Sequence, residues 1–446
     1  MNYREARDYI EDAAKFSMKL GLSRTEKILE LLGNPHKDLK CIHIAGTNGK
    51  GSATAMISSI LKEAGYKVGM YTSPYIEEFE ERIQINGVNI PKYDLAKVVT
   101  KVSEAVDKVL ELGYDNPTQF EIITCAGLLY FYEKKVDFAV IEVGLGGRLD
   151  STNVITPVLS IITSISYDHT GILGDTLSKI AYEKAGIIKK GVPTVLYPQE
   201  KEAEDVIEKI CIERQSRLVK VYRENVKAII SSKIDSKVDK YITQNVIVNT
   251  GLSQYDIELS LLGKHQVMNC ATVVYAVEEL IKMGIKIEKR AILSALSRVQ
   301  WKGRFEILNR EPLVVIDGAH NIDGIKKLKE SMNAYLSYKN MVLILGILSD
   351  KQVEDMVKVI APMAKKVICV TPHSDRAELA SELMMVVKKY NENCEAVENY
   401  EEAYKIGIDY CNEGDLLLIS GSLYMIGDMR KTIRTNQEAK GQKLGC

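Results

Sequence analysis

Short apolar runs alternate with segments of helical periodicity along the first half of the chain. Cys41–Ala45 is one such run, and small and apolar residues line one face of the helix predicted over Ser52–Ala64. This alternation is typical of parallel strands joined by crossover helices. It predicts an α/β fold with a mostly parallel sheet covered on both faces. The strands are predicted at Cys41–Ala45, Val68–Thr72, Phe138–Val143, Val158–Ile165 and Pro193–Tyr197.

The pattern changes between about residues 200 and 263, where the chain is more charged and less periodic. Short strands are predicted there at Ala228–Ser231 and Asn245–Thr250, as an antiparallel extension of the sheet. A long helix is then predicted over His265–Met283. The stretch from Ser294 to Gly303 is predicted to be a hinge.

A second α/β series follows the hinge. Its strands are predicted at Leu313–Ile316, Val342–Leu345, Val367–Val370 and Leu416–Ile419, with helices at Ile325–Tyr335, Val353–Ala361, Ala377–Lys389 and Tyr400–Tyr410. We therefore predict two α/β domains, an N-terminal one over 1–297 and a smaller, Rossmann-like C-terminal one over 298–446. The polar tail, from about 435 to 446, is expected to be disordered.

Composition and charge narrow the function classes. The 446 residues include 59 Lys and Arg against 60 Asp and Glu, which argues against a nucleic-acid or membrane-surface partner. The eight cysteines are scattered without a Cys-x-x-Cys pair and are expected to be reduced. The N-terminus lacks an apolar signal region, and no apolar run approaches membrane-spanning length. We expect a cytoplasmic monomer that acts on small molecules.

The loop between the first predicted strand and helix carries the clearest chemistry. Its residues are Gly46, Thr47, Asn48, Gly49, Lys50, Gly51 and Ser52. Backbone N–H groups of such a turn, together with a helix N-terminus, bind phosphate, and a lysine can reach the outer phosphates. The loop departs from the general P-loop pattern because Ile44 replaces its first glycine and Gly51 follows the lysine. It predicts binding of a nucleoside triphosphate.

Three further polar segments follow predicted strands directly. They are Tyr71–Pro74, Glu142–Asn153 and Tyr167–Gly171. Ligands of open α/β sheets bind outside the carboxyl ends of the strands, so these segments are expected beside the phosphate loop. A carboxylate placed directly after a buried strand is costly without a partner charge. This favours a metal ligand at Glu142 over a helix cap or a surface ion pair.

These segments occur in order with five others, at Glu183–Ile188, His265–Asn269, Trp301–Arg304, Asp317–Asn321 and Ser420–Tyr424. Together they resemble the Mur ligase superfamily and, within it, the folylpolyglutamate synthase/dihydrofolate synthase family. The resemblance implies an N-terminal P-loop ATPase-type domain and a C-terminal Rossmann-like domain. It also implies an ATP-dependent amide ligase that uses two Mg²⁺ ions. A folate carboxylate would form an acyl phosphate, and the amine of L-glutamate would displace phosphate. The acceptor stays open between tetrahydrofolate, dihydropteroate or both.

The resemblance also implies roles for single residues. Catalysis would depend on Lys50, Glu142, His169 and Lys184. The metal ligands would be Ser52, Ser73, Glu142, His169 and, if carbamylated, Lys184. Asn269 would contact adenine, Arg304 the phosphates and Asp317 the ribose. From spacing alone, Lys184 would be a helix-surface lysine.

The acceptor and the amino acid would be bound by a separate set of residues. Arg82, Phe120 and Glu121 match the folate side of the family's pocket, and His320 and Ser422 match its glutamate side. Two simpler interpretations stay open. Phe120 could be a core aromatic, and His320 and Ser422 could belong to loops at a domain interface.

Three other functions are compatible with a phosphate loop. Another Mur-type ligase would act on a different carboxylate, such as a nucleotide-linked precursor. It would normally carry an additional N-terminal domain, whereas about 40 residues precede the loop here. A P-loop small-molecule kinase would form ADP without free phosphate. A nucleotide-regulated binding protein would leave Glu142, His169 and Lys184 unexplained.

Overall fold

The computed structural model describes residues 1–15, 21–229, 233–234, 243–374 and 376–443. The first sheet has the order β4-β3-β2-β5-β1-β6-β7-β8 and is parallel except at the β2-β3-β4 edge. Its strands are β1 Cys41–Ala45, β2 Val68–Tyr71, β3 Ile83–Ile85, β4 Val88–Asn89, β5 Phe138–Glu142, β6 Leu159–Ile162, β7 Thr194–Leu196 and β8 Leu218–Lys220. The mostly parallel sheet predicted from the apolar runs is confirmed.

Helices cover both faces of this sheet. They are α1 Tyr3–Asp12, α2 Ser23–Leu31, α3 Lys50–Glu63, α4 Lys92–Glu111, α5 Gln119–Glu133, α6 Thr170–Leu173, α7 Leu177–Ala185, α8 Lys201–Glu213, α9 Lys264–Lys282 and α10 Lys289–Arg298. The central strand β1 is buried along its whole length, as expected for a strand covered on both sides. Alternate β1 residues enter opposite cores, with Ile42 and Ile44 facing α3 and α9, and Cys41 facing α4 and α5.

A separate antiparallel sheet has the order β11-β10-β9, with β9 Val226–Ile229, β10 Gln244–Asn249 and β11 Gln254–Leu259. The sequence analysis placed these strands in an extension of the first sheet, and this was wrong. The alternation of buried and exposed residues along β10 and β11 explains the difference. Only one face of this sheet is covered, so it packs on the helical layer rather than continuing the buried sheet. Residues 230 and 231 of the predicted first strand lie outside the described ranges.

The predicted hinge begins too early. Helix α10 continues to Arg298 because Ala291, Ile292, Ala295 and Leu296 keep a helical apolar face that is buried. The next strand begins at Glu306, so the connection between the two sheets is confined to 299–305. The domain boundary after residue 297 stays a prediction.

The second sheet has the order β12-β13-β17-β14-β15-β16, with only the β12 edge antiparallel. Its strands are β12 Glu306–Arg310, β13 Leu313–Asp317, β14 Met341–Leu345, β15 Lys366–Cys369, β16 Cys394–Ala396 and β17 Leu416–Ser420, and its helices are α11 Ile322–Tyr335, α12 Val353–Ile360, α13 Ala380–Val387, α14 Tyr400–Asp409 and α15 Leu423–Lys443. Helices α11 to α13 cover one face, and α14 and α15 cover the other. The α/β character predicted for this half is confirmed.

The predicted disordered tail is helical over its described part, and residues 444–446 of that tail lie outside the described ranges. Helix α15 continues to Lys443, because residues 437–440 are Gln, Glu, Ala and Lys, which favour helix despite their polarity. Within the described ranges, no helix has both the length and the apolar character needed to cross a lipid bilayer.

Candidate active site

The phosphate loop joins the end of β1 to the start of α3. Gly49 precedes the helix with a φ of 89°, a left-handed conformation that favours glycine. A Cβ atom at Gly49 would lie 2.5 Å from Oδ1 of Asn269. The loop therefore packs directly against the residue predicted to contact adenine.

Two lysines share one carbonyl oxygen of this loop. Nζ of Lys50 donates to the Gly46 carbonyl at 3.1 Å, and Nζ of Lys184 donates to the same oxygen at 2.9 Å. Lys184 is only 3% exposed, so it is not the surface lysine that helical spacing suggests. Burial, with a smaller effect from the nearby Lys50 charge, lowers the pKa of Lys184 to about 7. A fraction of this amine is therefore neutral near physiological pH.

Glu142 is placed at the carboxyl end of β5, beside Ser73. Its carboxylate accepts the backbone N–H of Ser73 at 3.3 Å and is 4% exposed. Burial raises the pKa of Glu142 to about 7, although the charge of Lys50 opposes the shift. A further positive charge would stabilise the ionised carboxylate.

His169 lies across the cleft, next to an aspartate and a lysine for which the sequence analysis assigned no role. Nζ of Lys351, from the second domain, donates to Oδ1 of Asp168 at 2.6 Å and lies 3.2 Å from Nε2 of His169. Burial lowers the pKa of the His169 imidazole. Burial alone would raise the pKa of Asp168, but His320 and Lys351 lower it overall. Lys351 follows Asp350 just beyond β14, and this strand-end position was its only sequence signal.

The loop after β13 brings the second domain to this cleft. The Asp317 carboxylate accepts the backbone N–H groups of Phe305 and Ala319 at 2.8 and 2.9 Å. Nη1 of Arg304 donates to the Gly318 carbonyl at 3.3 Å. His320 is within 2.8 Å of the same carbonyl through Nδ1, and burial lowers its pKa to about 4. Arg304, Asp317 and His320 therefore face the phosphate loop from the opposite domain.

Polar side chains connect the two domains at this edge. Asn321 donates to Asp168 at 3.1 Å and to Oδ1 of Asn48 at 3.1 Å, and Asn48 donates to Asp323 at 2.9 Å. A second series of hydrogen bonds links the loop to α9. The Asn269 amide donates to Gln266, and the Gln266 amide donates to the Ser52 hydroxyl group. Except for Asn269 and Gln266, these partners are far apart in sequence, so spacing alone did not identify them.

The predicted residues line two adjoining cavities. The first cavity, called here the nucleotide cavity, is lined by Gly46, Thr47, Asn48, Gly49, Lys50, Gly51, Ser52, Ser73, Glu142, His169, Lys184, Asn269, Arg304, Asp317 and His320. The second, called here the acceptor cavity, has a volume of about 430 Å³ and is lined by Ser73, Arg82, Phe120, Glu121, His169, His320, Ser422 and residues around them. Every residue predicted for the site therefore lines at least one cavity.

Within the acceptor cavity, the predicted side chains differ in what they contact. Glu121 is already engaged, because it accepts from Nε of Arg24 at 3.0 Å and forms the capping box of α5 with Thr118. Nε of Arg82 and Oγ of Ser422 are buried and have no hydrogen-bond partner among the described residues. Buried groups of this kind are suited to binding a polar ligand.

A set of donors in the nucleotide cavity fits a divalent cation. Ser52 and Ser73 offer hydroxyl groups, Glu142 offers a carboxylate that a cation would keep ionised, and His169 offers an imidazole. Among the described residues, no group of three or more His, Cys, Asp or Glu side chains is arranged as a metal site. The hydroxyl groups and phosphate oxygens would therefore complete the ligand set.

Two family models match separate parts of this chain. Residues 44–277 match the Mur ligase middle domain, and residues 303–423 match the Mur ligase glutamate ligase domain. The first match contains the phosphate loop, Glu142 and Asn269, and the second contains Arg304, Asp317 and His320. The fold and the site thus define a Mur ligase.

Similarity to individual relatives identifies the family to which the chain belongs within the Mur ligases. The chain is 38% identical to the dihydrofolate synthase/folylpolyglutamate synthase of Bacillus subtilis over 97% of this chain and 99% of that protein. It is similar to the crystal structure of folylpolyglutamate synthase from Thermotoga maritima, with a TM-score of 0.82, 33% identity and 97% of each chain covered. A structure of E. coli FolC in complex with DHPP and ADP gives a TM-score of 0.85 at 25% identity, covering 98% of this chain and 99% of that chain. The chain belongs to the folylpolyglutamate synthase/dihydrofolate synthase family.

Proposed function

We propose that this protein joins L-glutamate to the carboxyl group of a folate, at the expense of ATP. One observation carries the proposal: the nucleotide and acceptor cavities meet at Ser73, His169 and His320, which line both. A carboxylate in the acceptor cavity therefore lies next to the phosphate end of a nucleotide held by the loop. The family membership supports glutamate as the amine and a folate as the acid.

The reaction follows from this placement. A carboxylate oxygen of the acceptor attacks the γ-phosphorus, and the β,γ-bridging oxygen leaves with ADP. The amine of L-glutamate then attacks the acyl carbon of the acyl phosphate, phosphate leaves, and the nitrogen loses a proton to give the amide. Lys50 and the loop N–H groups stabilise charge on the phosphoryl oxygens. Holding acid, nucleotide and amine between the two domains replaces a three-body encounter by a local reaction.

We infer that Ser52, Ser73, Glu142 and His169 hold Mg²⁺, with Lys184 as a carbamate at a second ion. When bound, Mg²⁺ supplies positive charge to the phosphoryl oxygens. The low pKa of the buried Lys184 supports carbamylation, since CO₂ reacts only with a neutral amine. The described cysteines are free, with five of the seven buried, which supports a reducing compartment such as the cytoplasm.

The proposal is tested by measuring phosphate release from the purified protein with Mg-ATP and L-glutamate. Dihydropteroate and tetrahydrofolate are compared as the acid, and mass spectrometry checks for the added glutamate. Turnover with both acids would establish both family activities, and turnover with tetrahydrofolate alone would leave only polyglutamylation. ADP formation without free phosphate would favour a kinase, and no turnover with either acid would overturn the folate assignment.

Lys184 offers a separate test of the carbamate. We expect Lys184→Ala to lose most activity and Lys184→Arg not to restore it, because arginine keeps a charge but forms no carbamate. Steady-state turnover at fixed bicarbonate would measure both variants. Near-normal turnover by either one would contradict this role.

A further inference from the structure

A short segment of the first domain is seated in the second. Residues 75–77, called here the anchor segment, follow β2, yet Ile76 packs against the second-domain core that includes Ile426 and Met429. On α15, a Cβ atom at Gly427 would lie 1.8 Å from the Ile76 carbonyl oxygen. Only glycine permits this approach, so the helix has a gap that fits the anchor segment.

Buried charges hold the same segment. The Glu77 carboxylate lies 2.9 Å from Nη1 of Arg430 on α15 and 3.0 Å from Nζ of Lys302 in the connection between the domains. The side chains of Glu77 and Arg430 are only 8% and 11% exposed. Arg430 also pairs with Glu306 at 2.8 Å. Because buried charges are costly when unpaired, this network favours one position of the segment relative to the second domain.

The backbone of the anchor segment is held by a carboxylate of the first domain. The Glu81 carboxylate accepts the N–H groups of Ile76 and Glu77 at 2.8 and 3.1 Å. Glu81 also contacts Lys302 at 2.6 Å. The segment is therefore held at both its backbone and its side chains, and these contacts connect it to α15 and to the interdomain connection.

The anchor segment contacts a residue that lines the acceptor cavity. The Tyr75 ring lies 5.2 Å from the Arg82 guanidinium, and the Phe79 ring lies 5.6 Å from it. Arg82 lines the acceptor cavity. Contacts from α15 to Ile76 and Glu77, and from the neighbouring Tyr75 to Arg82, form an unbroken path.

We propose that Glu77 and Gly427 are positioning residues, which seat the anchor segment in the second domain and thereby hold Arg82 in place for the acid substrate. Neither residue lines the nucleotide or acceptor cavity, so they act through Arg82 rather than on the reacting atoms. The affinity of the protein for the acceptor then depends on the position of the second domain relative to the first. The inference rests on the proposed function, because it assigns the acceptor to this cavity.

Two variants and a matched control test the positioning role of Glu77 and Gly427 by steady-state kinetics. Glu77→Gln removes the buried charge with little change in shape, and Gly427→Ala fills the gap on α15. Glu78→Gln makes the same chemical change at the next residue, which is exposed and pairs with Asn89. We expect Glu77→Gln and Gly427→Ala to raise KM for the folate acid about tenfold, with KM for ATP within about twofold of the parent. Glu78→Gln should change neither.

Hydrogen exchange gives a readout that does not depend on turnover. We expect faster amide exchange over residues 74–82 in Glu77→Gln and Gly427→Ala, and parent-like exchange in Glu78→Gln. Parent-like exchange and acceptor KM in Glu77→Gln would overturn the inference, even if Gly427→Ala fails to fold. Equal increases in KM for acid and ATP would also overturn it. Failure of the proposed function would instead appear as absence of turnover by the unaltered chain with every folate acid.

Discussion

The two cavities are built in different ways. The nucleotide cavity is centred on one continuous loop, residues 46–52 between β1 and α3, whose Gly46 carbonyl accepts from two lysines. The acceptor cavity is formed by side chains from distant parts of the chain, including Arg82, Phe120 and Ser422. Backbone sites can serve any nucleoside triphosphate, whereas side chains can differ between acids. We infer that activation chemistry resides in the first cavity and acceptor choice in the second.

The largest effect is expected in the nucleotide cavity. Lys50→Met should lower kcat/KM by roughly 10³-fold with either folate acid, because the positive charge that stabilises the transferred phosphoryl group is lost. Phosphate release measures the change. Lys62→Met, at an exposed position of the same helix, should behave like the parent. A selective loss with only one acid would break the proposed division between the cavities.

A backbone change should have the next largest effect. Gly49→Ala should lower kcat/KM for ATP by roughly 10²-fold, because the new Cβ would displace Asn269 and the loop. Gly65→Ala is the matched control, since Gly65 has a similar φ of 93° and no atom near its added Cβ. It should cost only about 1 kcal/mol of unfolding free energy and leave ATP kinetics unchanged. Equal kinetic losses in both variants would point to backbone strain rather than the contact with Asn269.

Only part of the fold and of the site could be predicted from the sequence. The loop, the strand ends and their order are local patterns, so the α/β fold and the family resemblance were predicted correctly. Contacts such as Lys351 with Asp168 join residues far apart in the chain, and no local spacing encodes them. Lys184 shows the same limit, because helical periodicity suggested a surface position while the fold buries it. The site roles assigned to individual residues stay predictions.

The acceptor cavity should respond selectively. Arg82→Met should raise KM for the folate acid about tenfold, because a buried guanidinium donor is removed. KM for ATP should stay close to the parent value in the same steady-state assay. Arg290→Met, at a side chain that is 87% exposed, should have no kinetic effect. A matching rise in KM for ATP would mean that the two cavities are not separable.

The smallest effect concerns the amino acid. Ser422→Ala should raise KM for L-glutamate about fivefold, because the hydroxyl group is buried without a partner among the described residues. Ser420→Ala removes a similarly buried and unpartnered hydroxyl group that lines neither cavity, and it should leave KM unchanged. Initial rates at varied glutamate concentration would compare the two. An equal change in both variants would argue for a packing effect.

The carbonyl group of Gly46 has a consequence for ligand selection. Lys50 donates to it at 3.1 Å and to the Thr47 carbonyl at 3.2 Å, so the loop already satisfies this cation from its own backbone. A phosphate chain must compete with this internal acceptor, and its negative charges allow it to do so. Adenosine brings no such charge and would leave Lys50 in place. We therefore expect the loop to favour phosphorylated ligands over nucleosides, because only a phosphate can displace Lys50 from the loop backbone.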